Sequence, residues 1–320
     1  MKKLLLAITL LLLAACGPFS SNRPFLQQDI HTGTVGVTMD FMESAPPTQV
    51  REGQQFPVYL DIRNEGAHDI ERGYWRFGGY NINYLSFNPR QGALTLRGKS
   101  LNNPTGERQV IQVQATAGML ATQQQDHTAY FEVNYCYPYE TGAAVQVCVD
   151  TDYFNTKQQQ KPCTVGTSSI SAGQGGPVGI TSVESLPPRS PTSEDSLTNT
   201  DLVIPRFRIT IANLGNGKVI DENQVLDYCQ STTSASARNI VSYDVKLSDL
   251  GLVCSSQGRT PTSGTQTISL DEDLDSTQIE CELAQGISPQ YGTYEAPLQI
   301  TLNYGYVNTL SQSIDLQSAT

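Results

Sequence analysis

Cysteine, histidine and carboxylate side chains carry most of the chemistry open to this 320-residue chain, and each set is spaced differently. Seven cysteines stand at Cys16, Cys136, Cys148, Cys163, Cys229, Cys254 and Cys281. Without Cys16, six remain, an even number that reads as three disulfides in an oxidising compartment. Three lie in each half, so full pairing needs at least one bridge between the halves. Cys254 and Cys281 lie in or beside strand-like runs and are paired first. Cys148 and Cys163 flank the polar loop from Asp150 to Lys161, which a bridge would staple. Cys136 and Cys229 are then left to cross between the halves. Other connectivities stay open, because spacing alone does not fix them. No Cys-x-x-Cys occurs and no histidine is near a cysteine in sequence, so zinc is disfavoured.

Nucleophilic catalysis needs a Ser, Thr or Cys beside a base. The three histidines, His31, His68 and His127, sit in no recognisable motif, and no Gly-x-Ser-x-Gly occurs. They read as loop histidines. The acidic run is a sharper case. Asp271, Asp273 and Asp275 alternate, and Glu282 falls twelfth from Asp271, the ligand spacing of an EF-hand loop. Ser276 then stands where that loop needs Gly, and flanking helices are not indicated. A solvated acidic hairpin and a weak calcium site of another kind are the two readings left; Asp150 and Asp152 form a smaller candidate. No other cofactor is indicated. The aromatic stretch offers binding rather than catalysis. Tyr74, Trp75, Phe77, Tyr80, Tyr84 and Phe87 crowd together, and exposed aromatics stack on sugars or anchor protein contacts. Tyr74, Trp75, Tyr80 and Tyr84 are the candidate binding surface. Alternation puts Tyr74 and Arg76 on one strand face and Trp75 and Phe77 on the other.

The start of the chain addresses it for export. Lys2 and Lys3 precede an apolar run from Leu4 to Leu13. That run is short of the roughly 20 residues a permanent span needs, and reads as a cleaved signal peptide. Leu13-Ala14-Ala15-Cys16 resembles a prokaryotic lipobox. The resemblance implies cleavage before Cys16 and a lipid on its sulfur. The membrane is then met through that lipid alone, on the extracytoplasmic face, at the cell surface or in a periplasm. A net charge of -11 opposes generic nucleic-acid binding, which needs a basic face.

Strands must position these residues. Charged residues are only 16% of the chain, and 26 Gly and 17 Pro punctuate it too often for long helices. Phe56, Val58, Leu60 and Ile62 alternate with other residues and run into Asn64-Glu-Gly66. Phe207, Ile209 and Ile211 do the same before Asn213-Leu-Gly215. Period two marks a strand with one buried face, and Asn-x-Gly marks a turn that left-handed angles would suit. Gly36-Val-Thr38 echoes Gly179-Ile-Thr181, and each leads to a Pro-Pro bend. Asn134-Tyr-x-Tyr137 echoes Asn303-Tyr-x-Tyr306. Three matches in one order indicate a tandem repeat. Glu222 to Tyr228 suits one or two helical turns.

A strand ending in Asn-x-Gly, preceded by a strand and a Pro-rich bend, is similar to the CARDB family, cell-adhesion-related domains of bacteria and archaea. The segments Cys136-Tyr-Pro-Tyr-Glu-Thr141, Val147-Cys-Val-Asp150 and Gly173-Gln-Gly-Gly-Pro-Val178 resemble the inter-domain region of envelope proteins of that kind. The resemblance implies immunoglobulin-like sandwiches at a cell surface, and carries over no catalytic residue. The expected organisation is all-β: two tandem immunoglobulin-like β-sandwiches after a lipoprotein signal peptide. The boundaries are a signal peptide at 1–15, a lipidated tether at 16–31, a first sandwich with a cysteine-containing extension at 32–172, and a second at 173–320. The Gly-rich stretch near 173 reads as a hinge. The expected function is structural or adhesive, through contact with envelope proteins and without catalysis. The alternatives are binding of a surface glycan by the stretch 74–87, or a non-catalytic accessory role beside an envelope enzyme or transporter.

Overall fold

The computed structural model describes residues 30–157, 160–191, 201–230, 238–255 and 266–319. The signal peptide, Cys16 and the tether up to residue 29 lie outside the described residues. Strands dominate. The first half runs β1 (Val37–Phe41), β2 (Gln49–Arg51), β3 (Gln55–Asn64), β4 (Ile70–Gly78), β5 (Leu85–Asn88), β6 (Gln91–Leu96), β7 (Arg108–Ala117) and β8 (Asp126–Asp150). A short β9 (Thr167–Ser169) follows. The second half begins with β10 (Val178–Arg189), β11 (Ile204–Asn213) and β12 (Lys218–Ile220). A one-turn 3-10 helix, Glu222–Gln224, leads into α1 (Val225–Gln230), where the sequence suits a helical turn. Then come β13 (Ile240–Leu247), β14 (Leu250–Gly251), β15 (Val253–Ser255), β16 (Gln266–Ser269), β17 (Ser276–Glu282) and β18 (Thr293–Gln317). The alternating runs behave as written: Phe56, Val58, Leu60 and Ile62 on β3, and Phe207, Ile209 and Ile211 on β11, are all buried.

Among the described residues the strands form three sheets. One has the order β1-β3-β7-β5 and belongs to the first half. One has the order β15-β17-β11-β10-β9. The third holds nine strands, with the path β14-β13-β18-β8-β4-β6 and β12, β16 and β2 joining at the sides. Its spine is the pairing of β8 with β18, each 25 residues long. They pair antiparallel without a break, from Asp126↔Gln317 to Thr293↔Asp150. β4 pairs with the first part of β8, and β13 with the first part of β18. Each long strand therefore starts among its own half's strands and ends beside the other's. The sheet runs straight across the boundary expected near residue 172, and one hydrophobic cluster joins residues of all three sheets.

The Gly-rich connection is not laid out as a hinge. Residues 173–180 are buried. The Gln174 side chain accepts from the Ile180 amide at 2.8 Å and donates to the Ile180 carbonyl at 3.1 Å. Gly175 N–H donates to the Gly33 carbonyl, and Gly33 N–H to the Ala172 carbonyl, both at 2.8 Å. A segment this short with its polar groups satisfied internally is a packed plug. The second Pro-Pro pair, Pro187-Pro188, lies within β10 and not in a bend.

The disulfides join Cys136 to Cys229, Cys148 to Cys163 and Cys254 to Cys281. These are the three pairs favoured from the sequence, including the one between the halves. Cys136–Cys229 fastens α1 to the outer face of the long sheet, where Ile220, Val225 and Val307 form a small separate cluster. Three disulfides fit an oxidising compartment outside the cytoplasm.

Candidate functional site

The midpoint of the β8–β18 ladder is Pro138 opposite Gly305. Around it stand four buried tyrosines, Tyr137, Tyr139, Tyr304 and Tyr306, whose rings lie 5.8–6.4 Å from their neighbours. Tyr137 pairs across the ladder with Tyr306, and Tyr139 with Tyr304. A buried phenol needs partners for its hydroxyl, and all four have them. Tyr137 Oη accepts from the Val37 amide at 3.1 Å, and Tyr304 Oη from the Val178 amide at 3.1 Å. Tyr139 Oη accepts from the His68 amide at 3.1 Å, and Tyr306 Oη from the Gly217 amide at 2.8 Å. Burial pushes all four phenols up from their usual range, Tyr306 to about 12, so they stay neutral hydrogen-bonding groups.

These bonds fix the true register of the repeat. Val37 lies opposite Asn64, and Val178 opposite Asn213. His68 and Gly217 each follow their turn Asn by four residues. So Tyr137 matches Tyr304 and Tyr139 matches Tyr306. The sequence matches Tyr137 with Tyr306, and Val37 with Ile180; both matches are displaced by two residues. A slip of two keeps every side chain on its face, so alternation alone does not reveal it.

The Asn-x-Gly turns are built alike. Asn64 Oδ1 accepts from the Gly66 amide at 3.1 Å, and its Nδ2 donates to the His68 carbonyl at 2.7 Å. Asn213 repeats this with the Gly215 amide at 3.3 Å and the Gly217 carbonyl at 2.9 Å. Neither the Asn nor the Gly takes the left-handed angles expected of them. Glycine is needed for closeness instead: a Cβ at Gly66 would run into Tyr139 Oη, and one at Gly215 into Tyr306 Oη.

Beside this junction lies a groove of about 970 Å³. It takes in Tyr306 to Thr309 of β18 together with Asn134 to Tyr137 of β8, and so opens at the start of a stretch of β18 edge that faces away from β8. On that side β12 pairs with β18 only as far as Val307, and β2 begins at Asp315. Asn308 to Ile314 have no strand partner there among the described residues. Val35, Tyr135 and the 214–217 turn line the inner side; Arg76, Asn134 and Tyr228 line the outer side. A second hollow of about 560 Å³ lies by Pro138 and carries Asp69, Glu71, Glu140 and Glu222 with Arg72 and His68.

The aromatic stretch forms no single surface. Trp75 is 3% exposed and packs edge-on against Phe77 at 5.9 Å. Phe77 in turn stacks on Phe87 at 4.2 Å. The two strand faces divide as expected, and the Trp75 face is the core. Tyr74 lies on the other face, against the Cys136–Cys229 cluster. Tyr80 packs on Phe87 at 4.9 Å, and Tyr84 stacks on His127 at 3.7 Å. Four residues that could grip a sugar together are thus split between core and separate local contacts.

The carboxylates expected around calcium do not converge either. Asp271 Oδ1 accepts from the amides of Asp273 and Leu274, at 2.9 and 3.1 Å, closing the β16–β17 turn. Asp275 ends that turn at a φ of 49°. Glu282 is at the far end of β17, held by Arg189 through contacts of 2.6 and 3.0 Å. A twelve-residue spacing gathers ligands only when the chain curls into a loop, and here a strand extends it. Among the described residues no group of three or more His, Cys, Asp or Glu is placed to hold a metal ion. His68 packs edge-on to Tyr139 at 5.5 Å.

Asp150 and Asp152 serve a loop. Asp150 accepts from Lys161 Nζ at 2.6 Å, Thr293 Oγ1 at 2.8 Å and the Asp152 amide at 3.0 Å. Burial pushes the Asp150 carboxyl up, but the Lys161 ammonium and the other two donors outweigh it and hold it below its usual range. A carboxyl lowered in this way stabilises the fold above its unfolded pKa of about 3.9, and the contribution is lost as pH falls through the folded value. Asp150→Asn should therefore melt below wild type at pH 6, with the gap shrinking below about pH 4. A gap that stays constant down to pH 2 would separate the loop from the ionisation of Asp150.

No protein-family model matches the chain, and no curated protein matches it. The CARDB similarity therefore remains a resemblance. Among solved structures, the C-terminal domain of the Streptococcus agalactiae AgI/II polypeptide BspA is 6% identical, covering 88% of this chain and 99% of that one, with a TM-score of 0.15. The CupB6 tip adhesin of Pseudomonas aeruginosa is 8% identical, covering 90% and 98%, with a TM-score of 0.19. A DUF4466-family protein of Parabacteroides merdae is 10% identical, covering 84% and 99%, with a TM-score of 0.16. Likenesses this slight carry no argument about fold or function.

The sequence reading missed the groove. Its lining comes from segments far apart in the sequence, from Thr34 to Thr309, which no local pattern brings together.

Proposed function

We propose that this chain is a lipid-anchored protein of the extracytoplasmic face that binds another envelope protein and performs no catalysis itself. The groove beside β18 is the observation that supports the reading best. It is large, mixed in polarity and set beside the one sheet that spans both halves, with turns of both halves in its walls. The Leu-Ala-Ala-Cys ending supports the anchor, and the three disulfides support the compartment. The mechanism is geometric: a stiff β body carries a binding groove away from the membrane. A photo-crosslinking residue placed at Asn308 of the native protein, which lines the groove, should capture a reproducible protein neighbour in cells. Free chain alone, despite good surface expression, would count against the reading.

A further inference from the structure

The groove opens onto a strand edge that lacks a neighbour, reaching it at Asn308 and Thr309. β12 lies antiparallel along β18 from Gly305 to Val307, and β2 lies parallel along it from Asp315 to Gln317. Between them, seven residues from Asn308 to Ile314 keep β8 on one side and, among the described residues, have no strand on the other. Seven residues of strand span about 23 Å, and about half of their backbone N–H and C=O groups face the open side. Long exposed edges are normally defended by charge, proline or a bulge. This one has none: the residues are Asn, Thr, Leu, Ser, Gln, Ser and Ile, and the ladder runs through them without a register shift.

The symmetry of the repeat supplies a comparison. The matching stretch of the other long strand is Thr141 to Val147, also uncharged and, among the described residues, with no strand partner beyond β18. Its approach differs. The hollow at its start carries four carboxylates, Asp69, Glu71, Glu140 and Glu222, against Arg72. The β18 groove carries two cations, Arg76 and Lys218, against Glu132 alone. In an acidic chain this is the edge that tolerates a neutral or acidic segment. Both of its ends are also blocked in the plane of the sheet by β12 and β2. A second copy cannot lay a 25-residue strand there; a short segment can.

We propose that the open β18 edge, with the groove at its Asn308 end, is an acceptor slot for one short extended segment, neutral or acidic, of a partner protein, which completes the sheet by pairing with Asn308 to Ile314. This rests on the protein-binding reading above and names how the partner binds. Backbone pairing provides the hold, and side chains pointing inward meet Val35 and Tyr135.

The test uses the mature full-length chain and a phage-displayed library of random heptapeptides as probe. Enriched peptides should be neutral or acidic and free of central proline. Adding one of them should slow amide hydrogen exchange at 308–314. The double variant Thr309→Lys/Ser311→Lys, both on the exposed outer face, should melt as wild type and bind the peptide at least roughly tenfold more weakly. No enrichment, protection elsewhere, or undiminished binding by the double variant would overturn the slot. So would protection of 308–314 caused by self-association alone. In cells, a crosslinked neighbour that persists in the double variant sinks the strand slot and leaves the protein-binding reading standing. The absence of any neighbour sinks that reading itself.

Discussion

Replacing Trp75 with Ala should cost about 3–5 kcal/mol of folding stability, the range for removing a large buried aromatic. The indole is 3% exposed. It lies across β6 directly over Gly92, its ladder partner, where any Cβ would strike the ring. It meets Phe77 edge-on, and Phe77 continues to Phe87 and Phe131 at 4.2 and 5.9 Å. Truncation would leave a cavity whose walls are sheet backbone and other rings, and these cannot collapse inward cheaply. Urea unfolding followed by far-UV circular dichroism measures the loss. A wild-type midpoint for Trp75→Ala would show that the ring is not core, and would return the stretch 74–87 to the list of binding surfaces.

Trp75 also marks what the sequence could and could not tell. Alternation correctly divided Tyr74 and Arg76 from Trp75 and Phe77. It could not say which face met the core, because both faces are rich in large residues. The three disulfides were readable because parity demanded a crossing bridge and two pairs had local reasons. The long strands were not readable. Pro138 sits at the middle of β8, and a proline there argues against a central strand. It is tolerated here opposite Gly305, at the centre of the crossing. Beyond it, Gly142-Ala143-Ala144 erases the apolar alternation that marks a strand. What keeps this stretch extended is β18, whose matching residues lie more than 150 positions away, and no local pattern reports such a partner. The acidic run misled for the opposite reason. Its spacing was right, but spacing along a chain becomes proximity only if the chain bends, and β17 does not.

The crossing of the two long strands leads to the second large effect, at Tyr304. Its hydroxyl accepts from the Val178 amide at 3.1 Å and is hydrogen-bonded to the Thr141 hydroxyl at 2.8 Å. It thereby ties β18 to β8 and to the start of β10. Tyr304→Phe leaves that buried amide unpaired and should cost about 1–3 kcal/mol. Tyr304→Ala also opens a cavity among four rings and should cost about 3–5 kcal/mol. Where the loss appears is the sharper expectation. Two independent sandwiches would unfold separately, and damage at the junction would touch one more than the other. One sheet whose spine is shared by both halves should unfold in a single cooperative step. The chain's one tryptophan makes this measurable. Trp75 reports on the first half by fluorescence, while circular dichroism reports on all strands. Both signals should move together in wild type, and by the same amount in Tyr304→Ala. A Trp75 transition left in place while the dichroism splits into two steps would show that the halves fold alone and that the crossing strands merely dock them.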